Sequence, residues 1–299
     1  MAATTALHGD TGVVRTRARR PRQRLSLGRI ATWIVIAGLL VVVVYPLVWL
    51  VLGSLKTQDE FLNNSVFALP ENWANFDNYR AAWIDGHLDI YMRNSVLAVF
   101  PSLLLTIALG VAAAYALEVM VWKGRGPILL LFLAGIMVPG QMILLPLFTI
   151  YFKTGLTGSL WPLIITYTAI GLPLTVFMMA TFFRSIPREV FEAATLDGAG
   201  MLRQFVSIGV PLVKNAVFTV ALVQFFFIWN DLLIALTFTN RDELRTVQVG
   251  LLNFTGQFGQ VQYGPTFAAI SINVLATLAL YLFLNQRVMK GLTAGSVKG

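Results

Sequence analysis

From Ile30 to Gly53 the chain carries no charged side chain. A helix needs about 20 predominantly apolar residues to cross a bilayer core, and this run is long enough. Lipid offers no hydrogen-bond partners, so a backbone that enters it must satisfy its own N–H and C=O groups, which a helix does within one segment. The apolar region of a cleaved signal peptide is only about 7–15 residues, and no small-residue cleavage pattern follows Gly53, so the run reads as a retained span. Five more apolar runs follow, at about 94–120, 127–152, 160–183, 210–238 and 265–285. The expected fold is an all-α membrane protein with six transmembrane helices. A composition 57% hydrophobic and only 12% charged, with mean hydropathy +0.73, fits a chain that lives mostly in lipid.

Three regions divide the chain: a basic tail over 1–29, a six-span domain over 30–290, and a short tail over 291–299. Within the domain, Asn94 or Ser95 is suited to cap the second span, and Gly110, Ala112 and Ala114 are small enough for close helix packing. Pro139-Gly140 and Pro146 predict a kinked or partly unwound third span, and Gly171 with Pro173 predicts a break in the fourth. The longest connections are Lys56 to Arg93 and the polar loop Asn240 to Gly264.

The formal charge of +8 is an orientation signal. Arg15, Arg17, Arg19, Arg20, Arg22, Arg24 and Arg29 fill the first tail, and most other Lys and Arg fall in the connections on that same side of a six-span topology. Basic residues concentrate on the cytoplasmic side, so both termini are expected there. Basic residues that flank spans, without an aromatic-interleaved face, argue against a nucleic-acid partner.

One stretch between spans is neither apolar nor loop-like: Pro187 to Leu212. Pro187 suits the first turn of a helix, where Glu189 and Glu192 meet the positive end of its dipole. Asp197-Gly198-Ala199-Gly200 breaks that helix, and a second short one is expected from about Met201 until Pro211 interrupts it. The result is a helix–turn–helix elbow on the cytoplasmic surface. Ala193 and Ala194 would let another protein approach closely, and Glu192 would offer it a charge; an ordinary amphipathic interfacial helix is the alternative reading.

Chemistry of its own is hard to find in this chain. It has no cysteine and only two histidines, His8 and His87, and it lacks phosphate-binding, nucleophile-elbow and metalloprotease motifs. No catalytic residue, metal site or cofactor is expected. Ionisable residues inside spans are costly and therefore candidates for function. Glu118 sits near a span end and reads as solvated; Asp231 lies deeper, after Trp229 and Asn230. Gln224, Phe227 and Asp231 at i, i+3 and i+7 are expected on one helical face, and Asn273 and Thr277 at i, i+4 on another. These faces read either as a polar path for substrate or as interhelical hydrogen bonding, and both readings stand at this point. Two carboxylates make no proton relay, so the driving energy is expected from another polypeptide. A self-sufficient carrier or channel for a small polar solute remains the rival.

The spacing Glu192-Ala193-Ala194, Gly198, Ile208, Pro211 resembles the EAA loop of permease subunits of bacterial ABC importers, with Val210 where that pattern has Leu. Asp77-Asn78-Tyr79, Arg93-Asn94-Ser95, Trp229-Asn230-Asp231-Leu232 and Gly291-Leu292-Thr293-Ala294-Gly295 resemble the carbohydrate branch that includes the maltose permease. The resemblance covers about residues 30–299. It implies a type I ABC importer permease in the cytoplasmic (inner) membrane, with the elbow as a coupling helix. Glu189, Glu192, Ala193, Ala194, Asp197, Gly198 and Ala199 would then face a dimeric ATPase that binds ATP and Mg. A second homologous permease would complete the path, an extracytoplasmic binding protein would deliver a sugar, and Gln224, Phe227, Asn230, Asp231, Asn273 and Thr277 would border its route.

Overall fold

The computed structural model describes residues 27–254 and 261–295, with side chains up to residue 282. Most of the basic tail, residues 255–260 of the polar loop and the end of the second tail lie outside the described residues. What is described is almost entirely helical. Helix α1 spans Leu27–Ser54, and its apolar side chains stand exposed along 33–48, as a lipid-facing helix requires. After the short α2 (Gln58–Asn63) come α3 (Leu88–Glu118), α4 (Arg125–Ile136), α5 (Leu144–Lys153) and α6 (Trp161–Arg184). The elbow helix α7 (Arg188–Leu196) follows, then α8 (Val210–Trp229), α9 (Leu233–Phe238) and α10 (Tyr263–Gly295).

Five helices are long and apolar enough to cross a membrane, and α4 with α5 forms a sixth span bent by 92° at the Pro139-Gly140 break. Two packed clusters show that this bent pair returns the chain across the membrane. One cluster gathers Tyr91, Leu163, Phe225, Trp229 and Phe238; the other gathers Tyr115, Met179, Phe183, Phe191 and Val220. Both α3 and α6 run from the first cluster to the second, so α4 and α5 must carry the chain back between them. The elbow packs in the second cluster.

Polar groups mark the level between the clusters. Thr106 of α3 lies against Gly171 of α6, and one turn on, Gly110 of α3 faces Thr175: a Cβ on Gly110 would lie 2.4 Å from Thr175 Cγ2, and one on Gly171 would lie 2.9 Å from Thr106 Cγ2. Each helix thus offers a glycine to the other's threonine, which lets the parallel backbones approach closely. Gln224 of α8 closes the crossing, its Nε2 donating to Gly171 O at 3.0 Å and to Thr175 Oγ1 at 2.9 Å.

Three local expectations are corrected. The second span starts at Leu88, not at Asn94 or Ser95; His87 occupies the capping position with φ 54°. Asn94 instead donates to the carbonyls of Glu243 and Arg245 at 2.7 and 3.1 Å, and Ser95 Oγ accepts from Val247 N at 2.8 Å, pinning the loop after α9 to α3. Gly171 and Pro173 do not break the fourth span, because the proline ring packs into the space left by Gly135 of α4 and α6 continues past it. Pro211 does not separate the elbow from the fifth span. Residues 201–229 form one continuous span in which Phe205–Gly209 winds as a π-helix, and this wider turn accommodates the proline that follows.

The threonine–glycine crossing makes a direct prediction. Gly110→Ala should lower stability by about 1–3 kcal/mol through overpacking, and adding Thr175→Ser, which removes the obstructing methyl and keeps the hydroxyl, should restore most of it. Unfolding of the detergent-solubilised single and double variants measures both.

Candidate functional site

The elbow is built from its two ends inward. Pro187 has extended backbone angles at the capping position of α7, and Glu189 sits in the first turn, where a carboxylate favours the helix dipole. At the other end Ala199 N donates to Ala194 O at 2.9 Å and Gly198 N donates to Thr195 O at 3.0 Å. Gly198 holds φ 80°. This is a Schellman closure, which needs a residue in the left-handed region one place beyond the cap, and glycine takes it without steric penalty. Gly200 is extended and leads into residues 201–204. Gln204, buried, then staples the two arms, its Nε2 reaching Ala199 O at 2.7 Å and Thr195 Oγ1 at 3.0 Å.

The faces of α7 differ sharply. Phe191 and Ala194, three residues apart, turn inward. Phe191 meets the Tyr115 ring edge-on, centroids 5.9 Å apart, and Tyr115 also touches Phe183 and Phe205 at 5.6 and 5.1 Å. One tyrosine therefore joins the elbow to α3, to α6 and to the base of α8. Glu189, Ala193, Asp197 and Gly198 face outward, as does Leu196, which is 89% exposed, and Glu192 is exposed at the flank, where it also borders the cavity beneath the elbow. Glu192 has no hydrogen bond or ion pair among the described residues. The expectation that both alanines face a partner needs correction: Ala194 is only 7% exposed, and its small size lets α7 lie close to its own chain. Ala193 alone of the pair is outward. Ala199 is half-buried in the closing turn.

Beneath the elbow lies a cavity of about 500 Å3, bordered by Tyr115, Glu118, Arg184, Arg188, Glu192 and Gln204. Glu118 is not merely a solvated helix end. Its two oxygens accept from Arg184 Nε at 3.0 Å and Arg184 Nη2 at 2.9 Å, a fork that ties the end of α3 to the end of α6 beside the elbow. Sequence reasoning missed Arg184. Its signal was positional, since Glu118 and Arg184 terminate two spans that end on the same side.

The residues expected along a substrate route differ in burial and in setting. Gln224 is buried in the crossing described above, whereas Phe227 is 64% exposed. Asp231 lies outside the helix, because α8 ends at Trp229 and the Asp231 carboxylate accepts from Ala235 N at 3.0 Å, starting α9. Tyr167 O–H donates to that same carboxylate at 2.8 Å, a partner sequence reasoning did not name. Asn230 is exposed and donates to Phe226 O at 3.0 Å. Asn273 is buried and accepts from Trp229 Nε1 at 3.2 Å, while Thr277 donates back to Asn273 O at 2.7 Å. In this conformation Gln224 Nε2, Asp231 Oδ2, Asn273 Oδ1 and Thr277 Oγ1 are each engaged in interhelical or local hydrogen bonds.

Residues 106–290 match the family profile described as "Binding-protein-dependent transport system inner membrane component". The chain belongs to this family of ABC transporter permeases, multi-pass proteins of the cytoplasmic membrane. It is 34% identical over 259 residues to the diacetylchitobiose uptake system permease protein NgcG of Streptomyces coelicolor, covering 86% of this chain and 85% of that one. It is 30% identical over 261 residues to the trehalose/maltose transport system permease protein MalG of Thermococcus litoralis, covering 87% and 93%. The fold matches a chain in the crystal structure of a bacterial ABC transporter involved in the import of the acidic polysaccharide alginate, with TM-score 0.75 at 20% identity, over 86% of this chain and 95% of that one. The architecture is therefore that of an importer permease.

The permease's elbow turn gives a second prediction. A side chain at residue 198 meets nothing within 4 Å, so Gly198→Ala tests backbone strain alone. It should cost about 1–2 kcal/mol, read as faster amide exchange over residues 188–199 with the spans unchanged.

Proposed function

We propose that this permease forms half of the translocation path of an ATP-driven importer for a sugar or oligosaccharide, and that α7 is its coupling helix. The observation that carries the reading is the two-faced elbow. Its inner face is locked to three spans through Tyr115 and Phe191, while its exposed side presents the small Ala193 and the apolar Leu196, with the carboxylate of Glu192, unpaired among the described residues, at the flank. A short helix fixed on one side and unpartnered on the other is suited to receive force. The partner fitting the outer face is a cytoplasmic ATPase subunit with a basic residue for Glu192; ATP and Mg belong to that subunit. Asp197, Gly198 and Ala199 keep the arm rigid, and Glu189 supports the start of its helix.

A second homologous permease completes the path and a binding protein outside the cell delivers the substrate, in line with the family description. Both termini share the cytoplasmic side with the elbow. A carbohydrate cargo is supported by the transport systems to which the relatives belong. Nucleotide-driven closure of the ATPase pair displaces the elbow and shifts the spans between inward-open and outward-open states, through differential affinity for the two. The buried Gln224 and Asn273, with Thr277 bonded to the latter, contact sugar only if that motion opens their packing, whereas Asn230 and Asp231 keep oxygens free to accept and Phe227 offers an exposed ring for stacking or for the companion permease.

Reversing the charge at Glu192 is the sharpest test. Glu192→Lys should leave membrane insertion intact and reduce ATP-dependent sugar uptake by the assembled transporter about tenfold or more, since a like-charge contact replaces an ion pair. Uptake equal to the parent would refute the coupling role, and sugar transport by this chain alone in proteoliposomes would favour a self-sufficient carrier.

A further inference from the structure

A second cavity, of about 310 Å3, lies where α1 ends and α10 begins, bordered by Trp49, Lys56, Glu60, Phe61, Ser65 and Tyr263, with Leu62, Val66 and Phe267 completing it. Its unusual member is Lys56. The residue is only 4% exposed, and its ammonium makes no hydrogen bond or ion pair among the described residues. What it has is the face of Phe61, 5.7 Å from Nζ to the ring centroid. An ammonium buried with no carboxylate in contact is costly unless an anion reaches it.

Glu60, the cavity's one carboxylate, interacts with Lys56 through space but makes no ion pair with it. The Glu60 oxygens are taken by the backbone N–H groups of Thr57 at 2.6 Å and Glu71 at 2.7 Å. Burial raises its affinity for a proton, but those two donors, the Thr57 hydroxyl and the charge of Lys56 outweigh that and hold the carboxyl below its usual range. It is ionised and already committed. Trp49 donates its indole N–H to Val66 O at 3.1 Å. The Ser65 hydroxyl and the Tyr263 phenol remain as neutral donors.

The surroundings identify the anion's source. Leu62 and Val66 border the cavity and are exposed, and Phe67 and Leu69 continue the apolar surface beside them. Trp49 and Phe267 pack edge-on at 5.0 Å, and Phe61 lies against both Tyr263 and Phe267 at 5.3 and 5.2 Å. Two spans end here, so the cavity is level with lipid headgroups, where Trp and Tyr concentrate. A buried ammonium at this depth suits an anionic headgroup, which it can meet with a charge-assisted hydrogen bond. We propose that this cavity binds the phosphodiester headgroup of an anionic membrane lipid, with Lys56 as its counter-charge, the aromatic cluster as its wall and the exposed Leu62–Leu69 surface against the acyl chains.

Native mass spectrometry of the full chain in detergent, titrated with phosphatidylglycerol, phosphatidylcholine or glycerol 3-phosphate, tests this. Phosphatidylglycerol should be retained in preference to phosphatidylcholine, and glycerol 3-phosphate alone should neither bind nor compete. Lys56→Gln should weaken phosphatidylglycerol retention about tenfold or more, the loss of one charge-assisted contact, while Lys56→Arg keeps it. Because Lys56→Gln alters a buried site, Leu62→Glu, at the exposed rim, provides an independent variant that should also reject the anionic lipid. Equal retention of the two lipids, undiminished phosphatidylglycerol binding in either variant, or binding of glycerol 3-phosphate by itself would overturn the proposal.

Discussion

The contact on which the rest depends is Phe191 against Tyr115. The lever proposed for α7 requires an attached end that does not slip, and the helix has few means of attachment: two inward residues among nine. The aromatic junction solves this by making Tyr115 common to the elbow, α3, α6 and the base of α8. Gln204 and the glycine closure at Gly198 then stop the two arms from folding about their turn. Displacement of the outer face is passed to packed spans and not absorbed locally, since close-packed interiors transmit strain. The Glu118–Arg184 fork supports the same junction by fixing the ends of α3 and α6 to each other.

Further into the spans, the threonine–glycine crossing with Gln224 joins α3, α6 and α8 at the level between the two apolar clusters. The same three helices therefore share both the junction at the elbow and the contact at mid-membrane. Beyond it, Asn94 and Ser95 hold the loop after α9, and Tyr91 O–H donates to Asp242 at 2.9 Å. Elbow, spans and distal loop form a chain of direct contacts. That arrangement suits a machine in which force applied at one membrane face alters the other.

Much of this is legible in the sequence alone, for physical reasons that also explain what is not. Apolar run length located the spans because lipid leaves no other option for a backbone. Pro139-Gly140 marked a true break because two helix-disfavouring residues adjoin. Pro173 and Pro211 did not, and what rescued them, Gly135 across the interface and a π-turn, belongs to tertiary packing and not to local sequence. Facial arguments were incomplete inside the spans. Helical spacing puts Phe227 within about 60° of Gln224, but it carries no information on which part of that face neighbouring helices cover, and here Gln224 is buried while Phe227 is not. In the amphipathic α7, by contrast, Glu189, Glu192 and Ala193 are exposed, whereas Ala194 turns inward and Ala199 is half-buried in the closing turn. Asn94, Ser95 and Asp231 were each credited with local roles or a share in the path, and each serves long-range or capping hydrogen bonds that sequence spacing cannot reveal.

The central claim is that the outer face of α7 is covered by a cytoplasmic ATPase while its inner face stays locked to the spans. The chain contains no cysteine, so Ala193→Cys introduces a unique thiol on that outer face. Its labelling by a maleimide should be measured in membranes opened to expose the cytoplasmic side, with this permease alone and with the complete transporter. The account predicts rapid labelling of the isolated permease and strong protection in the assembled complex. Equal labelling in both would contradict it.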